Sequence, residues 1–264
     1  MSNIQLFHFK ALPLSMRMVY TMTLLVLGTG YLFAMLQVFF THADLDGKPG
    51  LSAEDLRIAY RGHAGDTRLE AALKGPMSGM LPDEERKVIY TWLGKGATEE
   101  GYDKDVKPIL ESRCLACHDG SDPHRPKFTN YEEISKVVSK DTGMSIPSLV
   151  RVSHIHLFGI TFIFFIVSSI FAHAYIRPLW IKCTVIVLPF LAILLDIFSW
   201  YLTKLNPGFA WVVIGSGGIM ALSFAVQWVV SMYQMWFYKL PDEMEECGGV
   251  LPVLGGSKNS RQVD

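Results

Sequence analysis

Four stretches of this chain hold enough consecutive apolar residues to cross a membrane, and they constrain everything else. Met18 to Phe40 is 23 residues without Asp, Glu, Lys or Arg, against roughly 20 needed to span about 30 Å of hydrocarbon. Val152 to Ile176 is a second such stretch, and Leu179 to Thr203 a third, interrupted only by Lys182 and Asp196. Leu205 to Tyr238 is the fourth, with excess length that tilt or the interface can absorb. Arg177-Pro178 and Asn206-Pro207 separate the last three. Backbone polar groups in lipid must find partners within the protein, so these stretches predict helices, the last three as an up-and-down bundle. The low charged fraction, 19% of residues against about 25% in soluble domains, agrees.

The first stretch is longer than a signal-peptide core and reads as an uncleaved signal anchor, although Thr41-His42-Ala43 offers a processing site. Lys10 and Arg17 precede it, Arg177 and Lys182 lie between the second and third spans, and Lys239, Lys258 and Arg261 follow the fourth. Only Lys204 lies between the third and fourth. The positive-inside rule therefore puts both termini in the cytoplasm and the long segment after the first span outside. The expected organisation is a cytoplasmic N-terminus and first span over 1–41, and an exported domain over 42–150. A three-helix bundle over 151–240 and a cytoplasmic tail over 241–264 complete it. With 24 basic and 25 acidic residues the chain lacks the basic excess of a nucleic-acid binder. Four cysteines are too few for a disulfide scaffold.

The exported segment is mildly acidic, with 19 acidic and 15 basic residues, and shows helical rather than alternating patterns. Ser52-Ala-Glu-Asp55 reads as a capping box opening a helix through Tyr60. Leu81-Pro-Asp-Glu-Glu opens another, with Pro82 in its first turn, Val88, Ile89, Trp92 and Leu93 on its apolar side, and Gly94 and Gly96 at its close. Asp44-Leu-Asp46-Gly47 faintly suggests a calcium loop. Lys48, Pro49 and Asp55 at key positions make it an acidic turn before a capped helix instead.

One motif carries chemistry. Cys114-Leu-Ala-Cys117-His118 is the C-x-x-C-H pattern of c-type haem attachment. Two thiols one helical turn apart can add to the two vinyl groups on one porphyrin edge, and the adjacent imidazole then reaches the iron. The competing readings are a redox C-x-x-C or half of a zinc site. No second cysteine pair in the segment completes the zinc, and no βαβ pattern suggests thioredoxin.

Tyr102-Asp-Lys-Asp-Val-Lys-Pro-Ile-Leu-Glu-Ser-Arg-Cys-Leu-Ala-Cys-His-Asp-Gly resembles the opening of a c-type cytochrome domain, where an N-terminal helix runs into the haem motif. The resemblance covers about 20 residues and implies one covalent haem c bound by Cys114, Cys117 and His118. It breaks downstream, where such domains carry a distal methionine and a closing helix; here only His124 and Met144 precede the membrane. Upstream, Gly75-Pro-Met-Ser-Gly-Met-Leu-Pro-Asp-Glu-Glu-Arg-Lys-Val-Ile-Tyr-Thr-Trp-Leu is similar to a distal-methionine loop followed by that closing helix. The resemblance then implies a permuted order, with Met77 or Met80 as the sixth ligand. His63, His124, Met144, or no ligand at all, stay open as alternatives.

In the membrane stretches, His42 falls at the outer end of the first span, His154 and His156 in the first turn of the second, and His173 at its far end. Helix-end histidines are commonly interfacial, so a haem b held between His42 and His154 or His156 is not favoured. Asp196 is a costly acid within a span and a functional candidate, poised to pair with a second-span histidine or Arg151 or to accept a quinol proton; a hydrogen bond that only packs one helix on another is an equal alternative. Gly215, Gly217 and Gly218 read as a close-contact surface. Cys183 and Cys247 read as free thiols on the cytoplasmic side.

The expected fold is all-α: four transmembrane helices with a small helical exported haem-binding domain inserted between the first and second. The expected function is a membrane-bound monohaem cytochrome passing electrons between respiratory-chain partners, in a bacterial inner membrane with its haem domain in the periplasm. Its partners would be lipid and an integral respiratory complex or a periplasmic redox protein. The alternatives are a quinol-oxidising subunit with a second site at His42, His154, His156 and Asp196, and a haem-containing sensor or accessory subunit. The chain reads as a carrier or subunit rather than a stand-alone enzyme.

Overall fold

The computed structural model describes residues 7–63, 65–123, 125–242, 245 and 248–251. The described residues are helical, with no strand among them and two isolated bridges, Phe7 to Val250 and Thr67 to Lys140. In chain order the helices are α1 (Leu14–His42), α2 (Ala53–Arg61), α3 (Arg68–Lys74), α4 (Asp83–Gly94) and α5 (Glu99–Gly101). A π-helical turn over Tyr102–Val106 leads into α6 (Lys107–Arg113), followed by α7 (Leu115–His118) and α8 (Tyr131–Ser135). The last three are α9 (Ile146–Phe171), α10 (Leu179–Leu205) and α11 (Ala210–Trp236). α1, α9, α10 and α11 are long and apolar enough to cross a membrane. The chain divides into two compact units, one of Met1–Met35, Ser153–Ile197 and Gly215–Asp264, the other of Leu36–Val152 and Phe198–Ile214.

In the first unit, polar side chains tie the helices together at points where a backbone group lacks its usual partner. Pro189 lies inside α10 and has no N–H to give the carbonyl of Val185, one turn earlier. Gln227 of α11 fills that gap: its Nε2 donates to Val185 O at 2.9 Å, and its Oε1 accepts from Ser168 Oγ of α9, also at 2.9 Å. Gln227 is fully buried. Gln234, two turns on, pairs both ways with the backbone of Tyr175, accepting from its N at 2.7 Å and donating to its O at 2.9 Å. Lys182 donates to the carbonyls of Ala172 and Ala174 at 2.5 and 2.9 Å, satisfying groups just past the end of α9. The cation that interrupts the third apolar stretch is thus a cap.

Two sequence expectations need correction here. The second span is Ile146–Phe171 rather than Val152 to Ile176. Ser145 starts it, with Ser148 N donating to its Oγ at 3.4 Å and Leu149 N to its backbone O at 2.9 Å, and Pro147 suits the first turn. Arg151 broke the uncharged run and hid these signals. The helix ends early because His173 N and Ala174 N bond back only three residues, to Ile170 O and Phe171 O. The glycines of α11 are the second correction: a methyl at Gly215, Gly217 or Gly218 would meet nothing within 4 Å. The close approach is at Gly28 of α1, where a Cβ would stand 2.9 Å from Trp228 Nε1. Its absence lets that indole donate to Leu24 O at 2.7 Å.

In the second unit, a small apolar core gathers Leu69, Leu81, Ile89, Trp92, Tyr102, Val106, Leu110 and Ile134, with Cys114 and Leu115 packed against it. The capping box at α2 is present, and its fully buried Asp55 accepts from Ser52 N and Asp46 N, each at 2.8 Å. The acidic turn therefore spends its carboxylates on backbone N–H groups. Pro82 caps α4 from outside rather than opening its first turn, and Val88 faces outward while Ile89 and Trp92 are buried.

Segments 59–66 and 139–144 run against each other backbone to backbone. Gly62 and Gly143 both have positive φ, and a Cβ on either would lie 2.5 Å or less from the other segment's main chain. Asp141 N donates to Asp66 O at 2.8 Å and Met144 N to Ala59 O at 2.9 Å. Lys204, at the end of α10, drives its ammonium into this junction and donates to Tyr60 O, Thr142 O and Met144 O at 2.7, 2.8 and 2.8 Å.

Candidate functional site

α6 delivers the chain to Cys114, whose N–H donates to Leu110 O at 2.8 Å; Cys117 N and His118 N then both bond to Cys114 O, at 3.1 and 2.9 Å. One tight turn therefore presents both thiols and the imidazole. Cys114 is half-buried against the core and Cys117 exposed. Burial pushes the Cys114 thiol up from its ordinary value, and the Glu85 carboxylate pushes the same way.

His118 shows a clear preference between its two ring nitrogens. Nδ1 lies 2.7 Å from Pro126 O, and a carbonyl only accepts, so Nδ1 carries the proton and Nε2 keeps its lone pair. The ring stacks on Phe128, centroids 4.4 Å apart and 13° from parallel, and Phe128 N donates to His118 O at 3.0 Å. A backbone acceptor that fixes tautomer and ring orientation is the usual support of a metal-binding histidine. Among the described residues no three His, Cys, Asp or Glu side chains converge as a metal ion requires. Zinc needs that convergence. A covalently attached haem does not, because the thiols bond to carbon and a single imidazole meets the iron. The donor set present here suits the haem.

The Met77–Met80 loop is folded back on α3: Met77 N donates to Ala72 O at 2.8 Å and Met80 N to Met77 O at 3.1 Å. Arg86 braces it from α4, donating to Ser78 O at 2.8 Å and Leu81 O at 3.0 Å. Both methionines are exposed, Met80 by 66% and Met77 by 37%. The loop and the cysteine motif flank one core, since Leu81, Ile89 and Trp92 pack in the same cluster as Leu110 and Cys114. Arg113, the residue before Cys114, grips Glu85 of α4 with two hydrogen bonds of 3.0 Å. Of the other sixth-ligand candidates, His63 gives both its backbone N–H and Nδ1–H to Asp141 Oδ2, at 2.9 and 3.2 Å. Met144 lies in the backbone junction, and His124 falls outside the described residues.

His42 is the last residue of α1, its ring 6.3 Å from that of Tyr60. His154 and His156 sit in the third turn of α9 rather than its first, because that helix begins at Ile146. The His154 ring meets Phe158 edge-on at 5.8 Å. Asp196 is buried in α10, 7% exposed, and accepts from Ser216 Oγ of α11 at 3.0 Å. Cys183 is a free, exposed thiol; Cys247 lies outside the described residues. Sequence reasoning missed His8, which is fully buried. Lys10 N donates to its Nδ1 at 3.2 Å, so Nε2–H donates to Gln234 Oε1 at 3.1 Å. It also missed Gln227, although a glutamine in one span and a proline in another were a readable signal.

No curated protein and no solved structure matches the chain. Residues 140–242 match the model of a family described as a transmembrane helical domain, Aq_1264_TM. That match takes in α9, α10 and α11 and leaves out the Cys114–His118 turn. The chain is a multi-pass membrane protein with four candidate spans, similar in its last three to that family.

Proposed function

We propose that this protein is a membrane-held monohaem c-type cytochrome that passes single electrons between respiratory partners. The observation that carries this reading is the His118 ring, proton committed to Pro126 O and Nε2 left to ligate, on the same turn as two thiols. Cys114 and Cys117 would hold the porphyrin edge by thioether bonds, His118 would be the proximal ligand, and Met77 or Met80 the distal one. When bound, the haem supplies a one-electron couple, whose potential a thioether ligand raises. Half-buried Cys114 would hold the group from beside the apolar core, and Cys117, which is exposed, would hold it from the solvent side of the turn. The positive-inside charge pattern supports cytoplasmic termini and an exported motif, which in a bacterial inner membrane would be periplasmic.

Haem staining of a denaturing gel tests the attachment. The wild-type chain should stain, and the double variant Cys114→Ala/Cys117→Ala should not; staining that survives both substitutions sinks the reading. Met77→Ala or Met80→Ala should remove a methionine-to-iron charge-transfer band. If Met144→Ala alone removes it, the upstream loop has no part in ligation.

A further inference from the structure

The first unit has a line of buried polar side chains that electron transfer by an exported haem does not need. Along one side of α11, Ser216, Ser223, Gln227, Ser231 and Gln234 recur at helical spacing, each no more than 7% exposed. From Ser216 to Gln234 is 18 residues, about 27 Å of helix at about 1.5 Å per residue. That is close to the roughly 30 Å of a bilayer's hydrocarbon core. One end of the line is the Asp196 carboxylate on Ser216. The other is His8, bonded to Gln234, at the end of the bundle that carries Lys10 and Arg17. Interhelical bonding accounts for the two glutamines but not for Ser231, whose residue is fully buried and whose Oγ has no hydrogen-bond partner among the described residues. A buried hydroxyl without a partner is uncommon, and a water bridging it to the polar groups one turn away on either side would supply one.

We propose that this seam is a proton path that keeps Asp196 in equilibrium with the aqueous phase on the His8 side of the membrane. A proton enters from water at the His8 end, passes along serine hydroxyls and bound water, and neutralises the Asp196 carboxylate; no electron moves. The glutamine amides orient the waters and do not carry the proton themselves. Burial holds the His8 pKa below its ordinary value, the Gln234 hydrogen bond opposes this, and Lys10, His173 and Lys182 push it further down, so the entrance is a neutral imidazole with one accepting and one donating nitrogen. Between Ser216 and Ser223 the line is broken for about 10 Å by the buried Met220. The flexible thioether chain makes that break a gate rather than a wall. The path needs no haem, so its test stands apart from the cytochrome reading.

The full-length protein in sealed vesicles of both orientations should be treated with dicyclohexylcarbodiimide, which enters the bilayer and reacts with protonated carboxyls. The pH is set separately on the two sides, and labelling of the Asp196 peptide is read by mass spectrometry. Labelling should rise up to about tenfold per unit fall in pH on the His8 side, the response of a carboxyl above its pKa, and ignore the opposite side. Asp196→Asn should abolish it. Ser231→Ala breaks no hydrogen bond, so it should fold normally, and it should uncouple labelling from the His8-side pH. The proposal is overturned if labelling follows the opposite side, if Ser231→Ala changes nothing, or if Asp196 is never labelled.

Discussion

His118 and Cys114 stand on the same turn but in different surroundings, and the difference is chemical. The imidazole is oriented by a carbonyl and a stacked phenylalanine, so binding through Nε2 would need no reorientation of the ring. The thiol is held against apolar side chains, and burial raises its pKa, which disfavours the reactive thiolate. The thiolate is the nucleophile, so a raised pKa lowers reactivity at neutral pH and moves its rise to higher pH. In haem-free protein, alkylation of Cys114 should therefore lag behind that of an unstructured peptide thiol near pH 8 and catch up only as the pH climbs. Mass spectrometry of the Cys114 peptide over a pH series measures this. A Cys114 that alkylates as fast as the peptide contradicts the burial seen here.

At the scale of elements, the bundle works by pairing a defect in one helix with a polar side chain from another. Pro189 leaves Val185 O open and Gln227 closes it; Trp228 reaches Leu24 O because Gly28 has no side chain. Gln227→Leu should destabilise the bundle by about 0.6 to 1.7 kcal/mol, the average and the maximum for hydrogen bonds between membrane helices. Pro189→Ala restores an N–H for Val185 O, so in that background the same change should cost less. A double-mutant cycle on unfolding in detergent measures the coupling, and strictly additive effects would remove the pairing. The spans themselves were legible in the sequence because length and lack of charge are enough to mark them. The start of α9 was not, since Arg151 interrupts the apolar run, nor were the partners of Pro189 and Gln227, which lie 38 residues apart and meet only once the helices pack. Likewise the C-x-x-C-H pattern named its own residues, whereas the Pro126 acceptor lies across a loop that no spacing rule describes.

For the whole molecule, charge and closure suggest two measurements. Reporter fusions at Gly120 and at the C-terminus should report periplasm and cytoplasm respectively; a cytoplasmic signal at Gly120 would remove both the orientation and the haem reading. The apolar cluster beneath the cysteine motif draws its residues from between Leu69 and Val138, and the Thr67–Lys140 bridge closes that stretch. Residues 66–141 expressed alone should accordingly unfold in a single cooperative transition by circular dichroism. A gradual, non-cooperative melt would show that this core depends on the membrane helices.

The Thr67–Lys140 bridge has one more consequence. A segment whose two ends touch is a ring cut once, and where the cut falls matters little to what packs inside. The methionine loop precedes the cysteine motif along the chain, yet both flank one core. Joined across the bridge and opened instead at the Lys95-Gly96 turn, the same ring would read cysteines first and methionines last. On the haem reading, the order of parts along the chain would then say where the membrane helices join the ring and nothing about how its core packs.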